Sequence, residues 1–131
     1  MSVSLVARDV MSTEVVSVSP SMTVQELALL LSERRISGVP VVDHKGVLIG
    51  ICSEADILSR KMNEETVRAI MTSDVVAVGE SESVQEIALL LAMKRINRVP
   101  VVREGKLIGI VSRTDIVKAM AGILPERVHA E

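Results

Sequence analysis

The chain has 131 residues, 48% of them hydrophobic and none aromatic, with 15 basic against 17 acidic side chains. That length is a prior for one compact domain or two very small ones, with ample Val, Ile, Leu, Met and Ala to fill a core at normal density. The missing Phe, Tyr and Trp exclude base-stacking platforms for single-stranded nucleic acid and aromatic cages for cations, and the balanced, scattered charge argues against a nucleic-acid partner.

In chain order, Met1 to Val10 has neither a basic start nor a long apolar core, so it is not a signal peptide. Val15 to Val18 is a short β-branched run bounded by Ser, Pro and Glu, the pattern of a strand. Thr23-Val24-Gln25-Glu26 is a capping box, in which the hydroxyl caps a helix and the Glu reaches back. Apolar residues at 24, 27, 28 and 31 put one buried stripe on that helix. It ends at Arg34-Arg35, where cations suit the helix dipole. Val39 to Val42 and Val47 to Cys52 are apolar runs about a turn, a buried hairpin. A second helix is expected from Ser53 to about Met62. Asn63 to Ile70 reads as a linker, polar at first, with a short helix at its end.

The pattern then returns. Val75 to Val78 is the strand, and Ser83-Val84-Gln85-Glu86 the capping box. Positions 84, 87, 88 and 91 carry the stripe, Lys94-Arg95 ends the helix, and the last helix starts at Ser112 and runs to about Leu124, before Pro125. VQELALLLSERRISGVPVV and VQEIALLLAMKRINRVPVV are nearly the same text. Register changes by one residue where Asp43-His44-Lys45-Gly46 aligns with Arg103-Glu104-Gly105, as hairpin turns tolerate. This is an internal duplication. A unit of about 60 residues buries too little surface to be stable alone, so two copies are expected to pack together.

The lone cysteine, Cys52, allows no internal disulfide and fits a reducing compartment. Apolar runs such as Leu27 to Leu31 are too short to span a bilayer. The expectation is a soluble, cytoplasmic protein with no membrane partner.

Three motifs recur in order: DVMSTEVVSV at Asp9 to Val18, RISGVPVV at Arg35 to Val42 and GICSEADIL at Gly50 to Leu58, with IMTSDVVAV, RINRVPVV and GIVSRTDIV in the second copy. On these motifs the sequence resembles a pair of CBS repeats, often called a Bateman module. The resemblance implies an α+β fold of two β-α-β-β-α CBS repeats packed as a pseudo-twofold pair: repeat 1 over 1–62, linker 63–70, repeat 2 over 71–131. It also implies a function. Such pairs bind AMP, ADP, ATP or S-adenosyl ligands such as S-adenosylmethionine in clefts between repeats, regulate another protein and often dimerise.

Two motifs are candidates for ligand contact, Ser53-x-x-Asp56 and Ser112-x-x-Asp115. On spacing alone, each is an ordinary capping box with an acid at the third helical position. The same geometry offers free N–H groups to an anion. In the family the Asp binds ribose hydroxyls and the preceding hydroxyl lies near phosphates. By the same resemblance, Met11, Val16, Ile36 and Ser37, with Met71, Val76, Ile96 and Asn97, line adenine slots, although plain core is the commoner fate of apolar residues. The resemblance implies crossed sites, the first slot facing Asp115 and the second Asp56. Arg98, in place of Gly38, is aimed at phosphates in similar members, and a solvated surface Arg is the plain alternative. Asn97 stands where members often have His.

Chemistry finds little support. His44 sits in a turn and His129 in the tail, so no metal cluster and no base–nucleophile pair is visible. Cys52 lies in an apolar strand and reads as core. Neither a G-x-G-x-x-G nor a Walker loop is present. The chain is therefore expected to be a non-enzymatic adenosine-nucleotide sensor, without a catalytic cofactor or metal, acting through an unknown regulated protein or as a homodimer. The rival reading is a ligand-free scaffold for dimerisation or docking.

Overall fold

A computed structural model describes residues 4–126. His129 lies outside the described residues. The chain divides into two compact units that do not follow the order of the repeats. The first-repeat unit holds Val16–Val75 and Gly105–Leu107; the second-repeat unit holds the chain up to Val15, Val76–Glu104 and Ile108 onward.

In the first-repeat unit, α2 spans Val24–Arg34, β1 Gly38–Val42, β2 Leu48–Ser53, α3 Glu54–Leu58 and α4 Val67–Ile70. The Thr23 hydroxyl accepts from the Glu26 N–H at 3.0 Å and the Glu26 carboxylate accepts from the Thr23 N–H at 3.2 Å, the expected box. At the other end Arg35 adopts a left-handed conformation (φ 53°), and the Ile36 N–H donates to the Leu31 carbonyl at 3.1 Å, closing the last turn. The strands β1 and β2 pair antiparallel, Val39 facing Cys52 and Val41 facing Gly50. Val18, Leu27, Leu31, Val39, Val41, Cys52 and Val67 form the core. The 105–107 turn joins this unit by pairing Lys106 with Val47.

The second-repeat unit begins with α1 (Ala7–Val10), an element the sequence reading lacks. Asp9 reaches back to accept from the Val6 N–H at 2.9 Å. Ala7 and Val10 are buried against Ile87, Leu91, Val99, Val101, Val111 and Ile116. The rest follows the repeat: β3 (Val78–Gly79), α5 (Val84–Lys94), β4 (Arg98–Arg103), β5 (Lys106–Ser112) and α6 (Arg113–Met120), with the sheet ordered β3-β4-β5. Ser83 accepts from the Glu86 N–H at 3.1 Å, the forward half of the capping box. The shorter turn between β4 and β5 is made by Glu104 and Gly105, both at positive φ (51° and 81°).

Three expectations need correction. The strand expected over Val15 to Val18 is a single parallel bridge, Val18 to Val41, and its twin is the two-residue β3. The chain turns away at once, because the Ser19 hydroxyl accepts from the Ser21 N–H at 3.2 Å and the Ser19 carbonyl from the Met22 N–H. The helix after Ser53 stops at Leu58, where the Ser59 hydroxyl donates back to the Ala55 carbonyl at 2.9 Å. The last helix stops at Met120, because Gly122 takes φ 80° and the Ile123 N–H donates to the Lys118 carbonyl at 2.8 Å. The short helix expected at the end of the linker is present as α4.

Candidate functional site

Ser53 closes β2 and opens α3. Its hydroxyl accepts from the Asp56 N–H at 3.3 Å, while Asp56 Oδ2 accepts from the Ser53 N–H at 2.8 Å and the Ser53 hydroxyl at 3.1 Å. The other carboxylate oxygen, Oδ1, faces the Thr72 hydroxyl at 3.4 Å. The Glu54 N–H donates to the Ser37 carbonyl at 2.9 Å, tying the start of α3 to the residue before β1.

The second-repeat unit repeats the arrangement. Asp115 Oδ2 accepts from the Ser112 N–H at 2.8 Å, the Asp115 N–H donates to the Ser112 hydroxyl at 3.1 Å, and the Arg113 N–H donates to the Asn97 carbonyl at 2.9 Å. The Arg113 guanidinium reaches the Ile96 carbonyl at 3.0 Å and the Leu91 carbonyl at 3.4 Å, so it caps the end of α5. Both Ser-x-x-Asp motifs are therefore closed capping boxes, with their carboxylates half-buried. A hollow of about 120 Å³ lies beside Asp115, lined also by Val10, Lys118 and Ile123. By itself it is smaller than the roughly 300 Å³ a drug-sized ligand needs.

Of the apolar slot residues, Met11 is a core member (6% exposed), while Val76 and Ile96 are half-buried against that same core. Val16, Ile36 and Met71 are half-buried against the first-repeat core. Ser37, Asn97 and Arg98 are exposed. Met11 shares a unit with Asp115 and Met71 with Asp56, whereas Val16, Ile36 and Ser37 lie in the unit of Asp56, and Val76, Ile96, Asn97 and Arg98 in that of Asp115.

The methionines are positioned by backbone pairing. Ser12 and Ile110 exchange hydrogen bonds at 2.8 and 3.0 Å, and Thr72 and Ile51 do so at 2.8 and 2.9 Å. Thr72 was missed by the sequence reading. Its signal was available, for it directly follows Met71 just as Ser12 follows Met11.

Burial and the nearby Asp56 charge push the Cys52 thiol up to about 11, so at neutral pH it is a protonated core group. Among the described residues, no three His, Cys, Asp or Glu side chains lie close enough to hold a metal ion. No helix among them is long and apolar enough to cross a membrane.

The CBS-domain family model matches this chain twice, over residues 7–63 and 67–122. The chain belongs to the CBS-domain family. It is 34% identical over 123 residues to the protein MJ1232 of Methanocaldococcus jannaschii, a match covering 92% of this chain and 41% of that protein. The chain thus spans about two fifths of that relative's length.

Solved CBS pairs have the same fold. The structure of CBSX2, a CBS-pair protein from Arabidopsis thaliana, in complex with AMP superposes with a TM-score of 0.83 at 31% identity, covering 89% of this chain and 96% of that one. The CBS domain pair of protein MJ0100, in complex with 5′-methylthioadenosine and S-adenosyl-L-methionine, gives 0.77 at 30% identity, covering 91% and 98%. With two CBS domains and these neighbours, the chain is an α+β CBS pair.

Proposed function

We propose that this CBS pair is a regulatory sensor that binds an adenosine-containing ligand and passes the signal through a partner protein or its own oligomer, with no chemistry of its own. The observation that carries the reading is the doubled Ser-x-x-Asp motif, supported by neighbours at about 30% identity solved with AMP, 5′-methylthioadenosine and S-adenosylmethionine. Each Asp presents a half-buried carboxylate at a helix start, where it can accept from ribose hydroxyls. Cap and contact are compatible, the box closing in the empty protein and the carboxylate turning to the ligand. Ser37, Asn97 and the slot residues around Met11 and Met71 form the adenine surroundings in this reading, and Arg98 reaches phosphates.

Self-association belongs to the same proposal. Leu58, Met62, Met93 and Met120 are 78–94% exposed on or beside α3, α5 and α6. Large side chains so exposed favour a covering surface, and a twofold dimer is the default closed solution.

A thermal-shift screen against AMP, ATP, NADH and S-adenosylmethionine tests the sensor. A ligand at a hundred times its dissociation constant adds about 2.7 kcal/mol, which is readily seen. If none of them shifts melting at millimolar concentration, the sensor gives way to the ligand-free docking scaffold.

A further inference from the structure

The two units carry the same local framework at one end and fill it differently. In the second-repeat unit the Arg8 N–H donates to the Glu80 carbonyl at 3.0 Å; in the first-repeat unit the Arg68 N–H donates to the Pro20 carbonyl at 2.9 Å. The offset that relates the repeats relates these pairs, so Arg68 stands where Arg8 stands and Pro20 where Glu80 stands.

The side chains then diverge. The Glu80 carboxylate sits between two guanidiniums, with Arg8 Nη1 at 3.1 Å, Arg103 Nη2 at 2.9 Å and Arg103 Nε also donating to it. Proline has no carboxylate to offer. Arg68, with Ser17, Ser19, Asp43 and His44, instead lines an open cleft of about 370 Å³. The Arg68 guanidinium makes no ion pair among the described residues.

We infer that this cleft is an anion site, taking the carboxylate or phosphate group of a small molecule at the place that Glu80 fills from within in the sister unit. The volume lies in the lower part of the range for small-molecule sites, roughly 300–1,000 Å³. Arg68 supplies the cation and its planar donor fork. The Ser17 and Ser19 hydroxyls and the His44 ring add donors at the rim, and the Ser19 hydroxyl is held toward that of Ser21 at 2.9 Å. Lys45 adds positive charge in the neighbouring turn.

One charge opposes the anion. Asp43 stands where Arg103 stands in the other copy. Its Oδ1 accepts from the Val47 N–H at 3.0 Å and the Lys45 N–H at 2.8 Å, and the Val47 bond first, with the Lys45 bond adding to it, holds its carboxyl below the usual range. Asp43 is therefore tied to its own turn and stays charged, which makes the site weaker than the two-arginine clamp around Glu80.

The inference is independent of the adenosine reading, and its test is arranged to stay so. The full chain is titrated with inorganic phosphate and separately with acetate, at constant ionic strength, while the amide resonances of Ser17, Ser19, His44 and Arg68 are followed. Saturable shifts confined to these amides are expected from at least one anion, and the better of the two names the group recognised. Arg68→Ala weakens binding about tenfold, the loss of one charged contact. Pro20→Glu weakens it comparably, because the new carboxylate occupies the guanidinium as Glu80 does. Asp43→Asn keeps the turn's acceptor, removes the opposing charge and tightens binding. Adenosine, which has no anionic group, leaves these amides unmoved, and AMP affinity survives Arg68→Ala. The inference is overturned if neither anion gives a saturable shift, if Arg68→Ala binds as the parent does, or if Asp43→Asn weakens binding, as it would at a cation site.

Discussion

The side chain of Met71 lies so close over Gly50 that a Cβ on Gly50 would come within 2.7 Å of its Sδ and 3.0 Å of the Thr72 carbonyl. Met11 stands over Gly109 in the same way, at 2.5 Å from Sδ and 3.0 Å from the Ser12 carbonyl. The glycine of each G-I-x-S motif is thus where an incoming strand-like segment crosses the hairpin, and a backbone carbonyl cannot yield as a flexible side chain can.

Gly50→Ala and Gly109→Ala should each destabilise the chain by about 1–3 kcal/mol through overpacking. Urea unfolding measures this directly. Pairing Gly50→Ala with Met71→Ala should recover only part of the loss, since the Thr72 carbonyl remains in the way. Full recovery would mean that the methionine alone sets the contact.

The segments crossing these glycines are exchanged between repeats, which gives a second test. Val10 belongs by sequence to repeat 1 and by burial to the core of α5 and α6 (1% exposed). Val10→Ala should cost about 2 kcal/mol, roughly two buried methyl groups plus the cavity they leave. Hydrogen exchange should quicken first at the amides of α5 and α6. Earlier loosening of α2 would contradict the exchange.

Glu80 carries the pH dependence. Its bond to Arg103 first, with Arg8 adding to it, holds its carboxyl at about 2 against an ordinary 4.5. A depressed acid contributes stability that is complete above the unfolded value, and the contribution is lost as pH falls through the folded value. Glu80→Gln should therefore melt lower than the parent above about pH 4.5. The gap should close as pH drops toward 2, and high salt should narrow it, because the two arginines that hold the half-buried Glu80 are exposed. A gap unchanged with pH would show that geometry rather than charge is at work.

Local chemistry explains what could be read in the sequence. The Thr23 and Ser53 boxes, the cationic ends of α2 and α5 and the turn at Asp43 involve residues within four positions, so their causes lie in the text itself. Helix ends were overrun at Ser59 and Gly122 because an apolar pattern continued past residues whose own bonding stops the helix. The core that buries α1 and the contacts of Met11 with Gly109 and Thr72 with Asp56 escape the sequence because they join residues far apart in the chain, and a repeat boundary drawn from text does not show which core a segment fills. The ligand roles of the site residues rest on family resemblance, and on spacing alone Ser53-x-x-Asp56 and Ser112-x-x-Asp115 are ordinary capping boxes.

The deciding measurement is a calorimetric titration of AMP into the parent chain, each single variant Asp56→Asn and Asp115→Asn, and the double variant, alongside their ligand-free melting curves. With each carboxylate holding ribose, every single change should weaken one site by about 1–3 kcal/mol, and the double variant should lose measurable binding while melting close to the parent. A double variant that binds AMP as the parent does while melting lower would contradict the account, leaving both aspartates as helix caps and nothing more.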